Sequence, residues 1–219
     1  SLEELRSLEA FGGVDPVGHW VEYLLEDRRC SDYLAERYAR SLVGTDQGPF
    51  LVFRRRRFVS WLSDQLQANV PYDFLARQLI EGEGIWTDAP EVNFFTVAVD
   101  PENGGQPDPI ILTGHLSRAL LGVRVDCLQC HDDRLGSVVL GSGQRPREGT
   151  QQDFHQLAAY FGQVEHSVLG IRDKEALEYR YQSLDAEEAG IIVPQVPFLK
   201  SLAEGRGSRR QQLARWMTH

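Results

Sequence analysis

The chain lacks an apolar run long enough to cross a bilayer, which excludes a membrane-spanning helix within these 219 residues. Cysteine is scarce: three residues are too few for a disulfide scaffold, and their odd number leaves Cys30 without an obvious partner, as a small buried apolar side chain between two helical patterns. Positive charge is in deficit. A net charge of −9 and a pI near 5.2 set the overall field against nonspecific binding to nucleic-acid phosphates. The opening segment SLEELRSLEAF lacks the basic start, apolar centre and small-residue cleavage site of a signal peptide, so none is expected in it. With no P-loop, dinucleotide glycine pattern or Ser/His/Asp order, kinase, dehydrogenase and hydrolase readings have no support. There is no internal repeat.

What is present is the composition of a soluble globular protein, 42% apolar and 25% charged, with length enough to bury a large core. Helical signals recur along it. Asp15-Pro16 reads as an N-cap and first helical residue, with Val17, Val21, Leu24 and Leu25 at helical spacing over about 16 to 28. Ser31 is placed to cap a second helix carrying Leu34, Tyr38 and Leu42, with Gly44 beyond its end. Phe58, Trp61, Leu62 and Leu66 mark a third, closed by Asn69 and Pro71, and Phe74, Leu75 and Leu79 a fourth. The run Arg54–Arg57 covers every side of one helical turn, which makes it a solvated helix start, with pairing to an anion such as a haem propionate as the alternative.

Residues 82–109 hold four prolines and four glycines around FFTVAV, a possible short strand, and predict a long loop of the kind that covers a ligand. Leu112, Leu116, Ala119, Leu120 and Val123 predict a buried helix running into Cys127. A second glycine-rich loop, 134–150, precedes an amphipathic helix carrying Phe154, Leu157, Ala158 and Phe161. From Leu184 to Gly207 the pattern is irregular, IIVPQVPFL looks extended, and Ser208 can cap a last helix. The expected fold class is mainly α: an irregular helical domain with long loops over 1–193, a haem c attached after a buried helix, and a C-terminal extension over 194–219 that starts a following domain.

The chemistry concentrates in LGVRVDCLQCHDDRLG, residues 121–136. C-x-x-C-H is the spacing of a c-type haem site: two thiols add across the two vinyl groups on one edge of the macrocycle, and the adjacent histidine becomes the axial ligand. The candidate cofactor is therefore haem c, covalent through Cys127 and Cys130, with His131 on the iron. Zinc is the main rival, but a structural zinc site needs four ligands and the chain has no second ligand pair. A thioredoxin-like pair would open a helix in a βαβ setting, whereas a helix precedes these cysteines.

LGVRVDCLQCHDD followed by TQQDFHQLAAYF resembles the cytochrome-type domain of large secreted planctomycete proteins, a family of unsettled role. DYLAERYARSLVG and RFVSWLSDQLQANVPYDFLARQLIEGEG resemble its upstream segments, and VPFLKSLAEGRGSRRQQLARWMTH its exit into a second domain. The resemblance implies a secreted or periplasmic, mostly helical module associated with haem c. Two positions depart from the family pattern: Asp133 stands where a histidine is usual, and His155 where a second tyrosine is usual.

For the other side of the iron the candidates are His19, His115, His155, His166, His219 and Met217. His155 is preferred, because it follows a flexible loop and sits at the edge of an apolar helix face, which makes His131 and His155 the expected iron ligands. Asp132 can orient the His131 ring. The leading function is a mono-haem cytochrome module for single-electron transfer, outside the cytoplasm, with a basic redox partner or an adjacent domain of a larger polypeptide as partner. The alternatives are a haem enzyme with an open distal site acting on peroxide or a small molecule, and a zinc-binding or apo interaction module.

Overall fold

The structure is a computed structural model and describes residues 1–45, 48–49, 51–102, 104–182 and 187–219. Two peripheral helices come first, α1 (Leu2–Ala10) and α2 (Pro16–Glu26), and neither has a fully buried residue. Asp15 caps α2 as its sequence predicts, accepting the Gly18 N–H at 2.8 Å. The face of α2 is another matter: Val17, Val21, Leu24 and Leu25 are all exposed. Periodicity specifies a face without specifying a partner, and the following helix α3 (Arg28–Val43) turns Ala35, Ala39 and Leu42 toward α4 (Arg55–Gln67) instead.

Helix α3 starts three residues before Ser31, capped by Asp27, and Ser31 is buried inside it with its hydroxyl on Gln67. The arginine run does structural work at the start of α4. Arg55 grips Glu36 with two bonds of 2.9 Å, and Arg57 donates to the Thr87 carbonyl. Helix α5 (Tyr72–Glu81) buries Leu75, Ala76, Leu79 and Ile80, whereas Phe74 is exposed. FFTVAV is mostly not a strand, only its last residue Val99 entering one: Asn93–Thr96 forms one buried helical turn, α6, held by Asn93, whose side chain takes the Arg54 N–H and donates to Trp86 and Pro90 carbonyls.

The expectation of a mainly α fold is corrected. Among the described residues helical turns account for about half, and four two-stranded antiparallel sheets supply the rest of the regular structure: β1 (Val99–Asp100) with β2 (Gln106–Pro107), β3 (Val139–Ser142) with β4 (Arg145–Glu148), β5 (Val164–Ser167) with β6 (Gly170–Asp173), and β7 (Arg180–Tyr181) with β8 (Gly190–Ile191). Strands of two to four residues are too short to show a period-two pattern, and β4 is exposed throughout. The 134–150 segment thus contains a hairpin. Gly170 shows how tightly such pieces are fixed: at φ 94° its Cα faces the Gly84 carbonyl with no room for a Cβ, and Ile171 exchanges two 2.9 Å backbone bonds with Gly84.

Helix α7 (Pro109–Leu116), capped by Asp108, continues through a π-wound turn, Ser117–Leu121, and stops at Gly122 with φ 66°. The placement of a haem c after a buried helix is corrected here as well: the helix does not run into the cysteines, which belong to a separate turn four residues further on. Helix α8 (Gln151–Ala158) is closed at its start by a capping box between Thr150 and Asp153, and α9 (Arg209–Met217) by one between Ser208 and Gln211.

Phe58, Leu62, Leu79, Phe94, Phe95, Leu112 and Phe161 fill the main core. Residues 194–219 share it, contributing Val196, Ala203, Leu213, Ala214 and Trp216. Leu184, where the sequence predicts the irregular stretch to begin, lies outside the described residues. A second, smaller cluster of Val125, Leu128, Val138, Leu140 and Phe154 lies apart from the main core and carries the candidate site.

Candidate functional site

Beyond Gly122 the chain makes a single tight turn over Asp126–Gln129, in which the Leu128 N–H returns to Val125 at 2.9 Å and the Cys130 N–H to Cys127 at 3.4 Å. Val125 and Leu128 are buried among Val138, Leu140 and Phe154. The residues of chemical interest are exposed: Cys127, Cys130 and His131, with both cysteines free thiols. An apolar peg thus fixes a turn whose reactive side chains reach solvent.

His131 sets its Nδ1 2.8 Å from the Asp132 carbonyl. A carbonyl only accepts, so Nδ1 carries the proton and Nε2 the lone pair, the tautomer a metal-ligating histidine needs. The Asp132 carboxylate, a candidate for orienting that ring, turns instead to α8 and accepts the Gln151 N–H at 2.8 Å. Asp133 is buried and organises the next loop. Its carboxylate takes the Leu135 N–H at 3.0 Å, the Ser137 hydroxyl at 3.2 Å and the Val138 N–H at 2.5 Å, and these bonds, led by that from Val138, lower its pKa.

His155 is buried on α8 with both ring nitrogens engaged. Nε2 is 3.2 Å from the Gln129 carbonyl, inside the C-x-x-C turn, and so is the donor, while Nδ1 accepts the Tyr179 hydroxyl at 2.7 Å. Burial lowers the His155 pKa and raises that of Tyr179, which keeps both neutral. The imidazole stacks on Tyr181 with ring centres 3.4 Å apart. Gln151 reinforces the arrangement, its amide donating to the same Gln129 carbonyl at 3.1 Å and to the Tyr181 hydroxyl at 2.7 Å. At the start of α8, Asp153 is held by a two-bond grip from Arg147.

The other histidines lie elsewhere. His19 stacks on Phe11 in the peripheral helices. His166 donates from Nδ1 to Gly105 and faces Trp86. His115 is largely buried on α7, and its Nδ1 has no hydrogen-bond partner among the described residues. Its pKa falls to about 4, mainly through burial, with Arg118 adding to the depression and Asp126 opposing it. Met217 packs against the main core.

Two cavities lie near the site, one against the turn and one on the far side of the α8 residues that hold it. One, of about 60 Å³, is walled by Leu121, Val125, Leu128, Leu140 and Phe154. The other is an open cleft of about 510 Å³ between α8 and the β7–β8 hairpin, lined by Gln151, His155, Tyr181, Ile192 and Val193. The first is far below the several hundred Å³ of a cofactor pocket, and the second is of that size. Among the described residues, no group of three or more His, Cys, Asp or Glu side chains is placed to hold a metal ion between them.

A family model described as PSCyt2, protein of unknown function (DUF1549), matches residues 2–166, about three-quarters of the chain. The chain belongs to the PSCyt2 family. The match contains the C-x-x-C-H turn and His155, and stops before Tyr179, Tyr181 and the C-terminal segment 194–219. No curated protein matches, and no solved structure does. No helix among the described residues is long and apolar enough to cross a membrane.

Sequence reasoning named Cys127, Cys130, His131 and His155. It missed Gln129, Gln151, Tyr179 and Tyr181, which join the last of these to the first three. Only the T-x-x-D start of α8 was there to be read, since contacts made across some 25 positions through a backbone carbonyl leave no motif.

Proposed function

We propose that this PSCyt2-family protein is a mono-haem c-type cytochrome module that carries single electrons outside the cytoplasm. The observation that supports it most directly is the turn itself: Cys127, Cys130 and His131 are exposed on a backbone pegged by buried Leu128, with His131 already in the tautomer that presents Nε2. Cys127 and Cys130 would hold the haem as thioethers, and His131 would hold its iron. The group supplies a one-electron couple when bound. The chain supplies the rest: Leu128 and Val125 fix the attachment turn, the Asp132 carbonyl keeps the proton on His131 Nδ1, and the negative surface favours a basic partner, either a separate protein or a neighbouring domain.

A specific observation favours the second reading, a haem enzyme with an open distal position. His155, the sequence candidate for that position, has both nitrogens engaged by Tyr179 and Gln129. An unoccupied sixth position permits ligand binding and peroxide chemistry.

The test is to export the chain in a host with a haem c maturation system, extract with acidified acetone, and record the reduced pyridine haemochrome spectrum of the protein. Retained haem, lost in Cys127→Ala and Cys130→Ala, is the expected result. A protein that stays colourless while a control cytochrome loads normally would end the haem reading. A high-spin spectrum of the loaded protein would select the second reading over the first.

A further inference from the structure

We infer that His155 is a positioning residue for the C-x-x-C-H turn, acting through the Gln129 carbonyl, and is not an iron ligand. The inference rests on the haem c reading for its purpose, though not for its geometry. Gln129 lies between the two cysteines, so its carbonyl is part of the only backbone that sets one thiol relative to the other. That carbonyl has two lone pairs, and two side chains of α8 occupy them: His155 Nε2 at 3.2 Å and Gln151 Nε2 at 3.1 Å.

Each of those donors is itself held. Tyr179 donates to His155 Nδ1 at 2.7 Å, which fixes the imidazole with its proton on Nε2, and Tyr181 both stacks on the ring at 3.4 Å and accepts from Gln151 at 2.7 Å. The hydroxyl of Tyr179, the imidazole and the carbonyl make a chain in which every polar atom has a partner. Binding an iron through either ring nitrogen would break the bond that nitrogen makes here, and through Nε2, the usual ligating atom, it would release the Gln129 carbonyl from the buried ring. The outer attachments of α8 act in the same direction, because Asp132 accepts the Gln151 N–H from the other side of His131.

A positioning role makes predictions that a ligand role does not. In amide hydrogen exchange on the full chain, His155→Phe keeps the ring stack but removes both bonds, and it should speed exchange across residues 126–131 about tenfold while α3 and α4 stay as in the parent. Tyr179→Phe should give a smaller increase, about threefold. His155→Gln retains a donor for the Gln129 carbonyl and should recover most of the protection. In the haem-loaded protein, covalent loading should fall in the same order and every variant should keep the parent's spin state.

Exchange over 126–131 that is unchanged in folded His155→Phe would overturn the inference, as would a change from low to high spin in His155→Gln, which would make His155 the ligand. If His155→Phe does not fold, Tyr179→Phe and His155→Gln decide by the same criteria. A parent chain that takes up no haem defeats the cytochrome reading alone, and the exchange comparison on that unloaded chain still decides the role of His155.

Discussion

The carboxylate of Asp132 accepts the backbone N–H of Gln151 at 2.8 Å, which joins the residue after His131 to the first turn of α8. That N–H is one of the four a helix start leaves without an internal acceptor, and the carboxylate brings negative charge to the positive end of the helix dipole. Two effects are therefore combined in one contact. Asp132→Ala removes both and should cost about 0.5–2 kcal/mol in urea unfolding. Asp132→Asn keeps an acceptor and loses only the charge, so its smaller cost, roughly 0.3–1 kcal/mol, should shrink as salt is added. An Asp132→Asn variant that unfolds with the parent at every salt concentration would show that the charge contributes nothing.

How much of this was legible beforehand depends on the range over which the controlling contact acts. Local signals held: Asp15 caps α2, Ser208 caps α9, and Phe58 with Leu62 and Leu75 with Leu79 mark the buried faces of α4 and α5. The hairpins were invisible because their strands are two to four residues long. Leu34 and Tyr38 repeat at helical spacing and are nevertheless exposed, since α3 meets α4 through its alanines, Ala35 and Ala39. The three residues of C-x-x-C-H carry their own signature, whereas the hold on Gln129 does not. Asp133 was noticed only as a departure from the family's histidine, and its three acceptor contacts with the following loop give that substitution a structural role.

Arg210 shows what no local pattern reveals. It is essentially unexposed, yet its guanidinium reaches Asp173 at 2.6 Å, the Gly82 carbonyl at 2.6 Å and Glu83 at 3.1 Å, tying α9 to β6 and to the end of α5. It also lies 5.0 Å from the centre of the Phe95 ring. Removing one partner of such a pair leaves the other charge buried without compensation, so Arg210→Met should cost about 3–5 kcal/mol. In a chain of this length the melting temperature should then fall by roughly 10 °C. Arg210→Lys cannot match the fork of donors and should recover little. The double variant Arg210→Met, Asp173→Leu should recover more than Lys does, because it removes the stranded carboxylate. A single Arg210→Met that melts with the parent would show that these contacts offset one another.

His115 gives the fold a pH dependence whose direction is set by burial. Its pKa in the folded chain is about 4, while an unfolded histidine titrates near 6.5, so between those values the unfolded chain holds the extra proton. Stability from this group is therefore fully present above about pH 6.5 and is lost as pH falls toward 4, by an amount of order 3 kcal/mol. The lowered pKa of His155 acts in the same direction. The carboxylates whose pKa values are depressed, Asp133 and Asp153 among them, begin to weaken the fold only at lower pH, as they are protonated below the unfolded value near 4. The two sets are separable by experiment. Urea midpoints measured from pH 7.5 down to 4.5 should decline in the parent and decline less in His115→Leu, which keeps the packing and removes the titrating ring. Parallel curves for the two proteins would mean that His115 gains a proton, in solution, as readily folded as unfolded.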